Sequence, residues 1–170
     1  MRYNIFLVLV LILLSALINY KNFSSADEVW TIKKYKRLAY ARVSGEVQHG
    51  DALNFFILAE DNCNKVWNTF TFLTFESPGD IRQLVDKHLP IKLNGEEITA
   101  QVTDVSPFLR GYRVMFSFGA FPIKEYVYFL NEFYIAEKKY EIEIIDGINF
   151  KAEKYFDIPL NNWKLENLVV

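Results

Sequence analysis

Apolar and polar residues alternate with a period of two along most of this chain, the mark of strands with one wet and one buried face. The pattern breaks first at the N-terminus, where Ile5 to Ile18 is apolar at every position but Ser15. Beyond it, Leu38 to Val47 sets Leu38, Tyr40, Arg42 and Ser44 on one side and Ala39, Ala41 and Val43 on the other. Gln48-His49-Gly50-Asp51 is turn chemistry, and Leu53 to Ala59 is a dense apolar run that reads as a buried strand. A polar turn, Glu60 to Asn64, leads into Val66 to Phe75, a strand carrying Trp67, Phe70, Phe72 and Phe75 among threonines.

A helical signal follows. Ser77 is a good cap, Pro78 suits a first helical position, and Asp80 completes a capping-box pattern. Ile81, Leu84, Val85 and His88 then fall at helical spacing, which predicts two to three turns ending before Pro90. Asn94-Gly95 predicts a two-residue hairpin joining Ile91–Leu93 to Glu96–Val102. Tyr112, Val114, Phe116 and Phe118 alternate cleanly with Arg113, Met115 and Ser117, and Gly111 and Gly119 flank that strand as turn glycines.

Lys124 to Lys139 carries both signals. Val127, Leu130 and Tyr134 suit a helix and Tyr126 to Phe129 a strand; the helix is the reading adopted. Tyr140, Ile142 and Ile144 alternate with Glu141 and Glu143, and Asp146-Gly147 is expected to turn this strand into a partner over Ile148 to Phe156. Trp163, Leu165 and Leu168 close the chain. The expectation is a mainly β (β-rich α+β) domain, an antiparallel sandwich or partly open barrel of about eight strands with one or two short helices. Phe and Tyr favour strands, so the 16% aromatic content pulls the same way.

The N-terminal run is too short for the roughly 20 residues of a spanning helix and matches a signal-peptide core. Arg2 precedes it, and Ser24 and Ala26 provide small residues for cleavage before Asp27. Residues 1–26 are therefore expected to be a signal peptide or a short N-terminal membrane anchor, and residues 27–170 a single extracytoplasmic domain, periplasmic or secreted. If residues 5–18 are retained, they tether it to the inner membrane.

The formal net charge is −2, which provides no field for nucleic acid. One cysteine, Cys63, rules out an intramolecular disulfide. As a nucleophile it would take His49 or His88 as base, but its acidic neighbours Glu60 and Asp61 disfavour a thiolate. His49 beside Asp51 is a possible pair of metal ligands, short of the three or four that zinc requires. His88, near the end of its predicted helix, is accounted for by the helix dipole. Of the carboxylates Glu96, Glu97, Glu141, Glu143, Asp146, Glu153 and Asp157, nothing sets two across a cleft as a glycosidase needs. No cofactor and no catalytic residue is expected.

The sharpest polar feature is Lys33, Lys34, Lys36 and Arg37 with Trp30 and Tyr35 among them. These six residues are the expected partner-binding surface, for an anionic envelope component, the membrane surface or an acidic protein. A solvated edge strand, where lysines discourage pairing, would have the same composition. The function that follows is a non-enzymatic binding domain of the cell envelope, of inhibitor or immunity type. A carrier holding a small apolar ligand in a barrel is the alternative, and an envelope hydrolase the third reading. A carrier requires a cavity lined by phenylalanines, a hydrolase convergent polar groups in a cleft, and a binder an exposed aromatic patch.

Overall fold

The computed structural model describes residues 30–48, 50–135, 140–165 and 168. The expected export segment and its expected junction at Asp27, together with His49 and residues 136–139, lie outside the described residues. Among the described residues nine strands form one antiparallel sheet curled into a half-barrel: β1 Thr31–Lys34, β2 Leu38–Ser44, β3 Ala52–Leu58, β4 Lys65–Thr74, β5 His88–Leu93, β6 Glu96–Phe108, β7 Gly111–Pro122, β8 Tyr140–Ile144 and β9 Leu160–Trp163. Their order across the sheet is β1-β2-β3-β4-β7-β6-β5-β8-β9. Among the described residues there are two α-helices, α1 Ile123–Ile135 and the single turn α2 Ala152–Tyr155. Among the described residues strand accounts for 54% and helix for 16%, as the alternation implies.

The Asn94-Gly95 hairpin forms as expected. Both residues have positive φ, 49° and 87°, which suits the right-handed twist of the strands, and Leu93 faces Glu96. The helix after β7 also forms, but its buried stripe is Tyr126 and Leu130, while Val127 is exposed.

Two expectations fail. The helix expected over Ile81 to His88 is a single 3-10 turn, Ile81–Leu84. Ile81 and Leu84 do face the core, but Asp86 takes φ +65°, and its N–H donates to the carbonyl of Val102. Val102 N–H returns a bond to the Lys87 carbonyl, so β6 captures the backbone and His88 opens a strand that runs through Pro90. The strand expected over Ile148 to Phe156 is absent too. Asp146 accepts the Ala152 N–H at 3.0 Å and an ion pair from Lys151 at 2.6 Å, which caps α2 instead. β8 finds its neighbours in β5 and β9.

The core lies inside the curl and is largely aromatic. Phe70 and Phe116, opposite each other on β4 and β7, stack at 4.7 Å, and Phe72 meets Phe156 and Trp163 edge-on. Such pairs add about 0.5–1.5 kcal/mol beyond their buried area. A polar knot ties the two wings of the sheet. Asn161 on β9 reaches the β2–β3 loop: Val47 N–H donates to its Oδ1, and its Nδ2 donates to the Gln48 carbonyl and to Asp51 Oδ2. Gly45 is required beneath it, because a Cβ there would lie 2.3 Å from Asn161 Nδ2.

Candidate functional site

The expected partner-binding residues do not form one surface. Trp30 is buried and stacks on Phe55 at 5.6 Å, so its ring belongs to the core. Lys33 and Lys34 are exposed on β1, an edge strand whose four residues all face solvent. Tyr35 leaves the strand: its N–H closes the turn on the Leu38 carbonyl, and its ring stacks on Tyr40 at 6.2 Å while staying 55% exposed. Lys36 and Arg37 occupy the bend, where Arg37 pairs with Glu60 at 2.7 Å.

The candidates for chemistry stand apart from one another. Cys63 is exposed in the β3–β4 turn. Of its acidic neighbours, Glu60 is held by Arg37, and Asp61 accepts the Trp67 indole N–H at 2.7 Å. Among the described residues, no three of His, Cys, Asp and Glu are grouped as metal ligands. Glu143 pairs with Lys92, Asp146 with Lys151, and Asp157 accepts the Phe75 N–H. Glu96, Glu97, Glu141 and Glu153 are exposed. His88 borders a polar cleft, in which Asp80 is hydrogen-bonded to Lys154 at 2.5 Å and to the Tyr155 hydroxyl at 3.1 Å. The Lys154 ammonium holds the Asp80 carboxyl below the usual range, with burial opposing and the tyrosine hydrogen bond adding to the effect.

Asp51 is fully buried in the knot described above. Burial pushes its carboxyl up to about 7, against the Leu73 N–H at 2.6 Å and the Asn161 amide at 2.7 Å, which favour the anion; the charge of Asp157 raises it further.

A different set of residues forms a cavity. Between α1 and the sheet lies a pocket of about 370 Å³, within the range of small-molecule sites. Its wall is apolar: Leu93, Ile98, Phe118, Phe121 and Phe129, with Glu125 beside them. Local backbone structure builds it. The β4–β7 ladder slips between Asn68 and Thr69, which pair with Gly119 and Ser117, and Phe118 is the extra residue of the bulge. Gly119 is therefore not a turn glycine but lies within β7 with φ +93°, and its N–H is held by Ser117 Oγ at 2.9 Å. Bulges of this kind re-aim side chains beside sites.

Asn68, opposite the bulge, is 1% exposed and shares the lining with Tyr126 and Tyr140. Its Nδ2 donates to both tyrosine hydroxyls, to Tyr140 at 2.5 Å, and the hydroxyls lie 3.4 Å apart. Burial, the largest cause, raises both phenols, Tyr140 to about 12, so both stay neutral at ordinary pH. Phe121 stacks on Tyr126 at 4.9 Å, and Phe55 meets both tyrosines edge-on. The Trp30 ring, stacked on Phe55, braces this group from behind.

Sequence reasoning did not find this site. Leu93, Phe118, Tyr126 and Phe129 each appeared in a strand or helix pattern, and Asn68, a polar gap in the strand Val66 to Phe75, was not singled out. The available signal was that gap: an amide in the most aromatic strand, where burial requires hydrogen-bond partners. Comparison with protein-family models, with curated proteins and with solved structures finds no match.

Proposed function

We propose that the domain acts outside the cytoplasm by binding, and that its ligand is a small apolar molecule taken up between α1 and the half-barrel. The observation that carries this reading is the pocket wall of Leu93, Ile98, Phe118, Phe121 and Phe129. Buried apolar area supplies roughly 25 cal/mol per Å², so such a wall favours hydrocarbon or aromatic ligands. Among the two readings that need a cavity or a cleft, the carrier matches an apolar lining better than the hydrolase does. The test fills the space. Ile98→Trp should abolish uptake of naphthalene by the full chain while its β-type circular dichroism is retained. Undiminished uptake in that folded variant would sink the proposal.

A second reading, binding of an envelope protein or an anionic surface at the β1 edge, is favoured by Ile32 and Tyr35, 54% and 55% exposed beside Lys33, Lys34 and Lys36. Lys33→Glu with Lys36→Glu should then abolish partner or membrane binding at an unchanged melting temperature.

A further inference from the structure

One residue of the pocket lining carries a buried polar atom that the protein leaves unused. An asparagine amide has two N–H donors and an oxygen that accepts two bonds. Both N–H groups of Asn68 are spent on Tyr126 and Tyr140. Its Oδ1 is buried and has no hydrogen-bond partner. Five other buried polar side-chain atoms share that condition among the described residues, on Trp30, Gln48, Arg113, Asn162 and Trp163, but only Asn68 belongs to the lining of this pocket. A buried acceptor without a donor is costly, and nearly all such atoms in folded proteins find one.

We infer that Asn68 Oδ1 is the recognition point of the pocket, and that the ligand is an apolar body bearing a hydrogen-bond donor, a hydroxyl or N–H, at the end that reaches it. The inference rests on the pocket being a binding site and specifies its ligand class. The surroundings fix what kind of head fits. The lining is almost wholly apolar, the tyrosines beside Asn68 are held neutral by burial, and the one charged lining residue, Glu125, is exposed to solvent, so no buried counter-charge awaits an ion. A charged head would be desolvated without compensation, whereas a neutral O–H or N–H exchanges its bond with water for one to Oδ1. With two hydroxyl oxygens on its nitrogen side, the amide directs its oxygen away from them.

Three ligands of one shape separate the outcomes: 2-naphthol, which has a donor; 2-methoxynaphthalene, which only accepts; and naphthalene, which does neither. Titration of the full chain, followed by protein NMR at the Asn68 side-chain amide and the ring resonances of Phe118 and Phe121, gives the three dissociation constants. The expected result is that 2-naphthol binds about tenfold more tightly than either competitor, a difference of about 1.4 kcal/mol. In Asn68→Leu the ratio between 2-naphthol and 2-methoxynaphthalene should fall to one. If all three bind equally, the pocket is a site but Oδ1 is satisfied in another way, and the inference is overturned. Tighter binding of 2-methoxynaphthalene would mean that the amide presents its nitrogen, and would overturn it as well. If none of the three binds, the pocket reading itself fails. The wild-type ratio needs no variant, so an Asn68→Leu chain that does not fold leaves the test intact.

Discussion

Asn161 and Asn68 are both buried, 0% and 1% exposed, and they use their amides differently. Asn161 spends everything: its oxygen accepts from Val47 and Asn162 N–H, and its nitrogen donates to the Gln48 carbonyl and to Asp51. Asn68 spends its nitrogen alone. The first side chain joins β9 to the β2–β3 loop, and a fully satisfied amide of that kind rigidifies what it joins. The second lies under an apolar pocket with an acceptor to spare. Two residues of one type thus separate holding the fold from offering a contact, and the difference is read by counting hydrogen bonds rather than by burial.

The contrast can be broken by measurement. The largest effect should come from Asn161→Ala, which strips four hydrogen bonds and leaves Asp51 Oδ2 without its donor. Urea denaturation above pH 7, where Asp51 is ionised, should register a loss of about 3–5 kcal/mol, as for other buried charged groups deprived of a partner. A loss no greater than that of Asn68→Leu would erase the distinction.

Next comes pH. The folded-state value for Asp51, about 7, lies above its ordinary 3.8, mainly because of burial. The folded chain therefore binds more protons than the unfolded chain between those values. The stabilisation is fully present below about 3.8 and is lost as pH rises through about 7. The loss is at most about 4 kcal/mol. Asp51→Asn, which cannot ionise, should remove this component of the slope between pH 4 and pH 8. The same slope in that variant would place the titration elsewhere.

A smaller effect is expected at the pocket. Asn68→Leu gives up bonds to two tyrosines but also removes an unpaired acceptor, so thermal denaturation should show a change of about 1 kcal/mol or less. The smallest is Cys63→Ser. The thiol is exposed in a turn, and exposed substitutions usually stay within about 0.5 kcal/mol. Binding of 2-naphthol should be unaffected, and a reduced affinity would connect the turn to the pocket.

The residue pattern alone determined the class of the fold. Period-two alternation around Val43, Phe70, Val114 and Ile142 requires strands with one buried face, and Asn94-Gly95 requires a tight hairpin, because these are local consequences of backbone geometry. Tertiary structure decided what local pattern leaves open. Apolar spacing over Ile81 to Val85 is satisfied by a helix or by a 3-10 turn, and it was pairing with Val102, distant in sequence, that selected the turn. Asp146-Gly147 reads as a hairpin until Asp146 is seen to cap α2. Trp30 sat among lysines in the sequence and stacks on Phe55 in the fold. The pocket is the extreme case. Its residues come from β4, β5, β6, β7, β8 and α1, and the bulge at Phe118 that shapes it exists only when β4 and β7 are in register. An unused hydrogen-bond acceptor has no signature in a sequence, since whether Asn68 is satisfied depends on which groups the curled sheet brings within about 3 Å of it.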